Sequence, residues 1–161
     1  MVVDSEGLKI INGGGAPARC RSRPVGRRRG VASTYLGKPY YPAWLDNLAD
    51  DVTGEGGAWD GAIEGAAAVH EVVVAARELY EFQEFHYAGP CGENSFLEDY
   101  TSSVGGGVPL YVIVLVTFNA DGKAHRLVVN HRPRSSLLLL SRLMLEKFAG
   151  TPLAKHWEGT P

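Results

Sequence analysis

The chain has 161 residues, 45% of them apolar and 21% charged, with a net charge of −2 and an isoelectric point near 6.2. That length suits one domain able to bury a core, and the composition is that of an ordinary soluble globular protein. Seven basic groups (Lys9, Arg19, Arg21, Arg23, Arg27, Arg28, Arg29) face only Asp4 and Glu6 in residues 1–30, and the rest of the chain carries a net charge of −7, which excludes polyanion binding anywhere but that tail.

Residues 1–30 mix Gly, Pro and Arg without periodicity, so they are expected to form a disordered Arg/Gly-rich tail. A nucleic-acid, nuclear-import or targeting role for them is the functional alternative. "VASTYL" predicts a short helix ending at Gly37, and an apolar stripe of Trp44, Leu45 and Leu48 after Pro42 predicts a second. "DVTGEGGAWDG" reads as a short strand entering a Gly-rich loop that carries Trp59. After Gly61 the spacing of Val69, Val72, Val73, Ala76, Leu79 and Tyr80 predicts an amphipathic helix, with His70 off its apolar face.

From residue 81 the period becomes two. "EFQEFHYAG", "SFLEDYTSSVG", "VPLYVIVLVTFN" and "KAHRLVVNHRP" predict four strands, the last two joined by an "NADG" turn in which Gly122 supplies a positive φ. "SSLLLLSRLMLEKF", residues 135–148, predicts a helix apolar nearly all round, stopped by Gly150 and Pro152 and needing cover on more than one side. The expected organisation is a tail over 1–30, an α+β domain over 31–150 and a C-terminal tail over 151–161. Cys20 and Cys91 make neither a disulfide framework nor a CxxC site, and no apolar run reaches the roughly 20 residues needed to span a bilayer, so a cytoplasmic protein off the membrane is expected.

The order of these elements, with "NLADDVTGEG", "GAIEGAAAVHEVV" and "LVTFNADGKAHRLVV", resembles the nuclear-transport-factor-2-like superfamily over about residues 35–148, and within it the SnoaL-like branch. The resemblance implies a cystatin-like cone, in which helices pack in the concavity of a curved, mainly antiparallel sheet around one apolar pocket. Ketosteroid isomerase, scytalone dehydratase, limonene epoxide hydrolase and SnoaL-like polyketide cyclases share that fold. The isomerase's carboxylates do not carry over. Its general base falls at Gly56, its second acid at Val114, and its helix-borne Tyr near Ala32, with Tyr35 one turn later. Steroid isomerisation is therefore not expected.

The same resemblance sets strand facing. Val112, Val114, Val116, Phe118, Leu127, Val129 and His131 turn into the cone, and so would Leu97, Asp99 and Thr101 unless the register slips by one residue. His131 and Asp99 are the candidate proton handlers, on strands about 9–10 Å apart, against the alternative of a solvent-facing His and an outward charge. Trp59, Tyr35, Thr101, Val114, Val116, Leu127 and Val129 are the candidate pocket wall. His125 and His131 stand about 20 Å apart along one strand, so no metal is expected, and no other cofactor.

The expectation is a SnoaL-like protein that binds a small hydrophobic or cyclic, polyketide-like molecule. Acid–base turnover of the cyclase, isomerase or dehydratase type would follow from the proton handlers. The alternative is a non-catalytic, dimeric interaction module of the same fold. A homodimer is expected in either case, and nucleic acid only through the Arg-rich tail.

Overall fold

Eight strands form one curved sheet in the computed structural model, which describes residues 31–161. The expected tail over 1–30, and any nucleic-acid role for it, lies outside the described residues. In chain order the strands are β1 (Ala32–Tyr35), β2 (Lys38–Pro39), β3 (Leu48–Gly56), β4 (Ile63–Glu64), β5 (Tyr80–Pro90), β6 (Ser95–Val104), β7 (Val108–Phe118) and β8 (Ala124–Arg132). They lie side by side as β2-β1-β5-β6-β7-β8-β3-β4. Pairing is antiparallel except at β1 with β5 and β3 with β8. Helices α1 (Ala66–Leu79) and α2 (Arg134–Phe148) complete the α+β cone.

The four period-two segments and both later helices form where the sequence places them. α1 buries Val69, Val72 and Ala75 against the sheet, and His70 is exposed. Gly122 adopts φ 73° in the β7–β8 turn, with its N–H on the Asn119 carbonyl. α2 buries Leu140, Met144 and Phe148 and anchors two hydroxyls on neighbouring backbone, Ser136 on the Pro109 carbonyl at 2.6 Å and Ser141 on that of Ala58 at 2.7 Å. Leu137, Leu139, Leu143 and Leu145 are partly buried against the same core, so the Leu-rich helix has the cover it demanded.

The first two expected helices do not form. "VASTYL" supplies β1, whose β-branched and aromatic residues pair parallel with β5 (Ala32 with Phe82, Tyr35 with Phe85). The second shrinks to one 3₁₀ turn, Ala43–Asp46, closed by the Asn47 N–H on the Trp44 carbonyl. Leu48 then opens β3, and the Asp50–Asp51 pair sits within the strand, exposed, while Ala49 and Val52 turn inward.

Residues 151–161 are not a detached tail. A 3₁₀ turn, Pro152–His156, delivers Trp157 to the core with no solvent exposure, its ring stacked on Phe148 at 5.1 Å and tilted against Trp59 at 6.4 Å. Two hydrogen bonds fasten it. The Asp60 N–H donates to the His156 carbonyl, and His156 Nδ1–H to the Asp60 carbonyl, both at 2.8 Å.

Candidate active site

Antiparallel pairing puts directly opposed residues on one face, so the register of β6, β7 and β8 assembles the cone wall in rows. One row is Glu98, Val114 and Val129; the next is Tyr100, Val112 and His131. Register shifts in β5 between Tyr80 and Gln83, and between Phe85 and Tyr87, bend that strand and turn Tyr80, Gln83 and Phe85 all inward. Trp44 from the 3₁₀ turn, Trp59 from the Gly-rich loop and Val72, Val73, Ala76 and Arg77 from α1 close the other side. The cavity space open to the centre of a water-sized sphere is about 50 Å³. At about 10–15 Å³ for one water, that is room for a single small ring rather than a fused ring system.

Four of the expected wall residues meet here or beside it. Trp59, Val114 and Val129 line the cavity with His131, and Leu127 lines a smaller adjoining recess with Trp59 and Val129. Val116 is buried in the core below the cavity, and Tyr35 packs edge-on against Tyr40, 5.9 Å away, outside the lining.

Asp99 and Thr101 are corrections. Asp99 opposes Ile113 and then Asn130 on the convex face, where its carboxylate meets Arg132 at 3.5 Å. Thr101 shares that outer face and bonds to His86 Nε2 at 2.6 Å. The strand runs one residue out of the expected frame. Glu98, Tyr100 and Ser102 are the inward set, because Glu98 rather than Asp99 lies opposite inward-facing Val114. His131 and Asp99 therefore stand on opposite sides of the sheet, and the expected pair does not exist.

Glu98 takes the place of Asp99 on the inside. Its side chain is 2% exposed, and Oε1 accepts from Tyr40 Oη at 2.7 Å and Trp44 Nε1 at 2.9 Å, which leaves Oε2 as the oxygen available to a ligand. Desolvation raises its pKa above the ordinary carboxylate value, against the lowering effect of these donors and of the Arg77 charge. Tyr40 is raised in turn, first by its own burial and then by Glu98.

His131 has the opposite shift. Burial pushes it down to about 4, so the imidazole is neutral at pH 7. Its Nε2 meets Tyr80 Oη at 3.1 Å, and Nδ1 has no hydrogen-bond partner among the described residues. Burial holds the Tyr80 phenol up at about 12 and that of Tyr100 well above its ordinary value. These tyrosines, with Gln83 and Glu98, are what sequence reasoning missed.

Gly56 explains why the isomerase's base has no counterpart. A Cβ there stands 2.7 Å from the Trp59 ring and 2.7 Å from the Val129 carbonyl oxygen, so Trp59 fills the space a side chain would need. Gly56→Ala is expected to cost roughly 2 kcal/mol from overpacking, read as a lowered urea midpoint, because backbone as well as ring must shift.

No protein-family model and no curated protein matches the chain. Among solved structures, it is similar to an uncharacterised bacterial protein with a cystatin-like fold from Silicibacter pomeroyi DSS-3, at 18% identity and a TM-score of 0.61 over 66% of this chain and 74% of that one. A steroid delta-isomerase from Pseudomonas aeruginosa matches at 21% identity and 0.60, over 66% and 78%. A de novo designed protein with a curved β-sheet matches at 18% and 0.50, over 62% and 79%. The chain thus has the cystatin-like cone fold that its sequence resemblance to the nuclear-transport-factor-2-like superfamily implied. The designed protein among the matches marks that likeness as one of shape, not of activity.

Proposed function

We propose that the cone binds a small hydrophobic or cyclic organic molecule and moves protons on it, in chemistry of the cyclase, isomerase or dehydratase type. The observation that carries this is Glu98, a carboxylate 2% exposed on the wall of an otherwise apolar cavity. A buried carboxylate with a raised pKa is a competent general base near neutral pH, and such groups concentrate in functional clefts. Glu98 removes a proton next to a carbonyl, and the Tyr80–His131 pair on the far wall holds the oxygen. Glu98 on β6 and His131 on β8 sit two strands apart, about 9–10 Å between backbones, which accommodates one ring between them.

Trp44 and Trp59 line the cavity, so their fluorescence reports occupancy. Cyclohexanone is expected to change that emission saturably, and the protein to catalyse exchange of its α-hydrogens in deuterium oxide, followed by proton NMR. Glu98→Gln is expected to retain binding while losing about 10²–10⁴-fold of the exchange rate, the usual contribution of a general base. Equal exchange by the two proteins removes Glu98 from the chemistry. Loss of saturable binding in the wild type removes the site itself.

The second reading is the non-catalytic dimeric module. The convex outer face favours it, with Tyr87 and Tyr111 both more than 40% exposed beside the half-buried Ile113 and Leu115. A homodimer through that face is proposed under either reading, and light scattering at micromolar concentration checks it. A monomeric mass throughout sinks it.

A further inference from the structure

The cavity wall includes one guanidinium. Arg77 follows Val73 by one turn of α1, and both side chains line the cavity with Val72 and Ala76. Arg77 also lines a surface recess beside Val31, Val74 and Glu78, so it stands where the cavity meets the outside. It is held there from two sides. Nε donates to Gln83 Oε1 at 3.2 Å, and Nη2 stands 3.5 Å from Ser33 Oγ. Ser33 donates to that same Gln83 oxygen at 2.8 Å, so the two acceptors form one fixed edge, and Gln83 is only 3% exposed. The Tyr41 ring covers a face of the guanidinium, its centroid 5.3 Å from Cζ, and adds a cation–π attraction.

None of these partners carries a charge. A guanidinium has five N–H donors. Gln83 and Ser33 take two of them, both on the Nε–Nη2 edge, which leaves Nη1 with both hydrogens and Nη2 with one. Nη1 is also within reach of a ligand. The side-chain nitrogens and oxygens that are both sealed and unpartnered among the described residues are His131 Nδ1 and Trp157 Nε1 alone. The neighbouring carboxylates hold other partners: Glu98 has Tyr40 and Trp44, Glu78 has Lys147 at 2.7 Å, and Asp46 has Tyr41 at 2.7 Å. The three ion pairs among the described residues leave Arg77 out.

We infer that Arg77 selects a ligand bearing a carboxylate, whose ring lies in the cavity while its carboxylate meets the open Nη1–Nη2 edge at the mouth. The inference rests on the small-molecule reading of the cavity and narrows its ligand to a cyclic organic acid. A planar carboxylate matches the planar fork with two parallel N–H···O bonds. A phosphate calls for more positive charge, and no second Lys or Arg lines the cavity. Because Gln83, Ser33 and Tyr41 already fix the guanidinium, little side-chain freedom is lost on pairing. The apolar wall beside it makes the charge-assisted bonds stronger than in open water. Arg77 is a specificity residue: it anchors the acid group and leaves the ring to Glu98, whose Oε2 is unpartnered and unsealed.

Tryptophan fluorescence at pH 7 and fixed salt tests this with cyclohexanecarboxylate and cyclohexanecarboxamide, which share a ring and a planar head group but differ in charge. The wild-type protein is expected to bind the carboxylate at least about tenfold more tightly than the amide. Arg77→Gln is expected to bring the two within about twofold of each other. Arg77→Lys keeps the stem and the charge without the fork, and its preference is expected to fall between these values. It decides the matter alone if the Gln variant does not fold. A full wild-type preference surviving in a folded variant moves the anion away from Arg77 and overturns the inference. Equal binding of the two acids' forms by the wild type, or binding of cyclohexanone alone, overturns the carboxylate assignment while sparing the pocket. Binding of none of the three probes overturns the proposed function and this ligand class with it.

Discussion

Trp157→Ala is expected to destabilise the protein by about 3–5 kcal/mol, the usual range for removing a fully buried Trp from a core. The ring has no solvent exposure, is stacked on Phe148 at 5.1 Å with its plane within 6° of parallel, and also touches the rings of Trp59 and His156. Its removal leaves a hole between the end of α2 and the Gly-rich loop. The backbone around it is tied at Asp60 and His156, which limits how far it can collapse into that space. The effect reaches the cavity as well, since Trp59 lies between Trp157 and the pocket. Urea unfolding followed by circular dichroism should show the lowered midpoint at an unchanged slope. A loss below about 1 kcal/mol would mean that the C-terminal segment does not belong to the core.

That segment also marks where the sequence stops being legible. A lone Trp among Pro, Lys and Gly carries no periodic signal, and only the cleft beside Phe148 and Trp59 gives it a place. The opposite holds for β5 to β8 and for α1 and α2, whose periods of 2.0 and 3.6 run long enough to identify them. β8 even yields its facing, because Leu127 and Val129 fix the phase that carries His131 inward. In β6 the period is equally clear and the phase is not. Phe96, Glu98 and Tyr100 alternate with Leu97, Asp99 and Thr101, and each set holds one carboxylate and at least one apolar group. A carboxylate is ordinarily read as outward-facing. Glu98 goes inward because Tyr40 and Trp44, 58 and 54 residues away, supply two donors there, information no local pattern contains. The two N-terminal helices failed for a related reason. Over four to six residues, propensity is weaker than pairing with a ready sheet edge, and β5 and β8 provide those edges to β1 and β3.

Acidification from pH 7 to pH 4 is expected to cost the wild-type protein about 3 kcal/mol more than it costs His131→Gln. The sign follows from the direction of the shift. His131 titrates at about 4 when folded and near 6.5 when unfolded, so the unfolded chain binds the proton first. The stability this imidazole contributes is present above pH 6.5, falls progressively below it, and is gone once the pH has passed through the folded value. Desolvation is the cause, as the ring is 8% exposed and no carboxylate is paired with it. Glu98 acts in the opposite sense. Its pKa is raised in the folded state, so its contribution is fully present below the unfolded carboxylate value and is lost as pH rises through the folded one. Both proteins retain Glu98, Tyr80, Tyr100 and Arg77, so subtracting their urea-derived stabilities at each pH isolates the imidazole. The difference curve should bend near pH 6.5 and flatten below about pH 4. Parallel stability profiles for the two proteins would place the ring in water and remove it from the buried wall of the cavity.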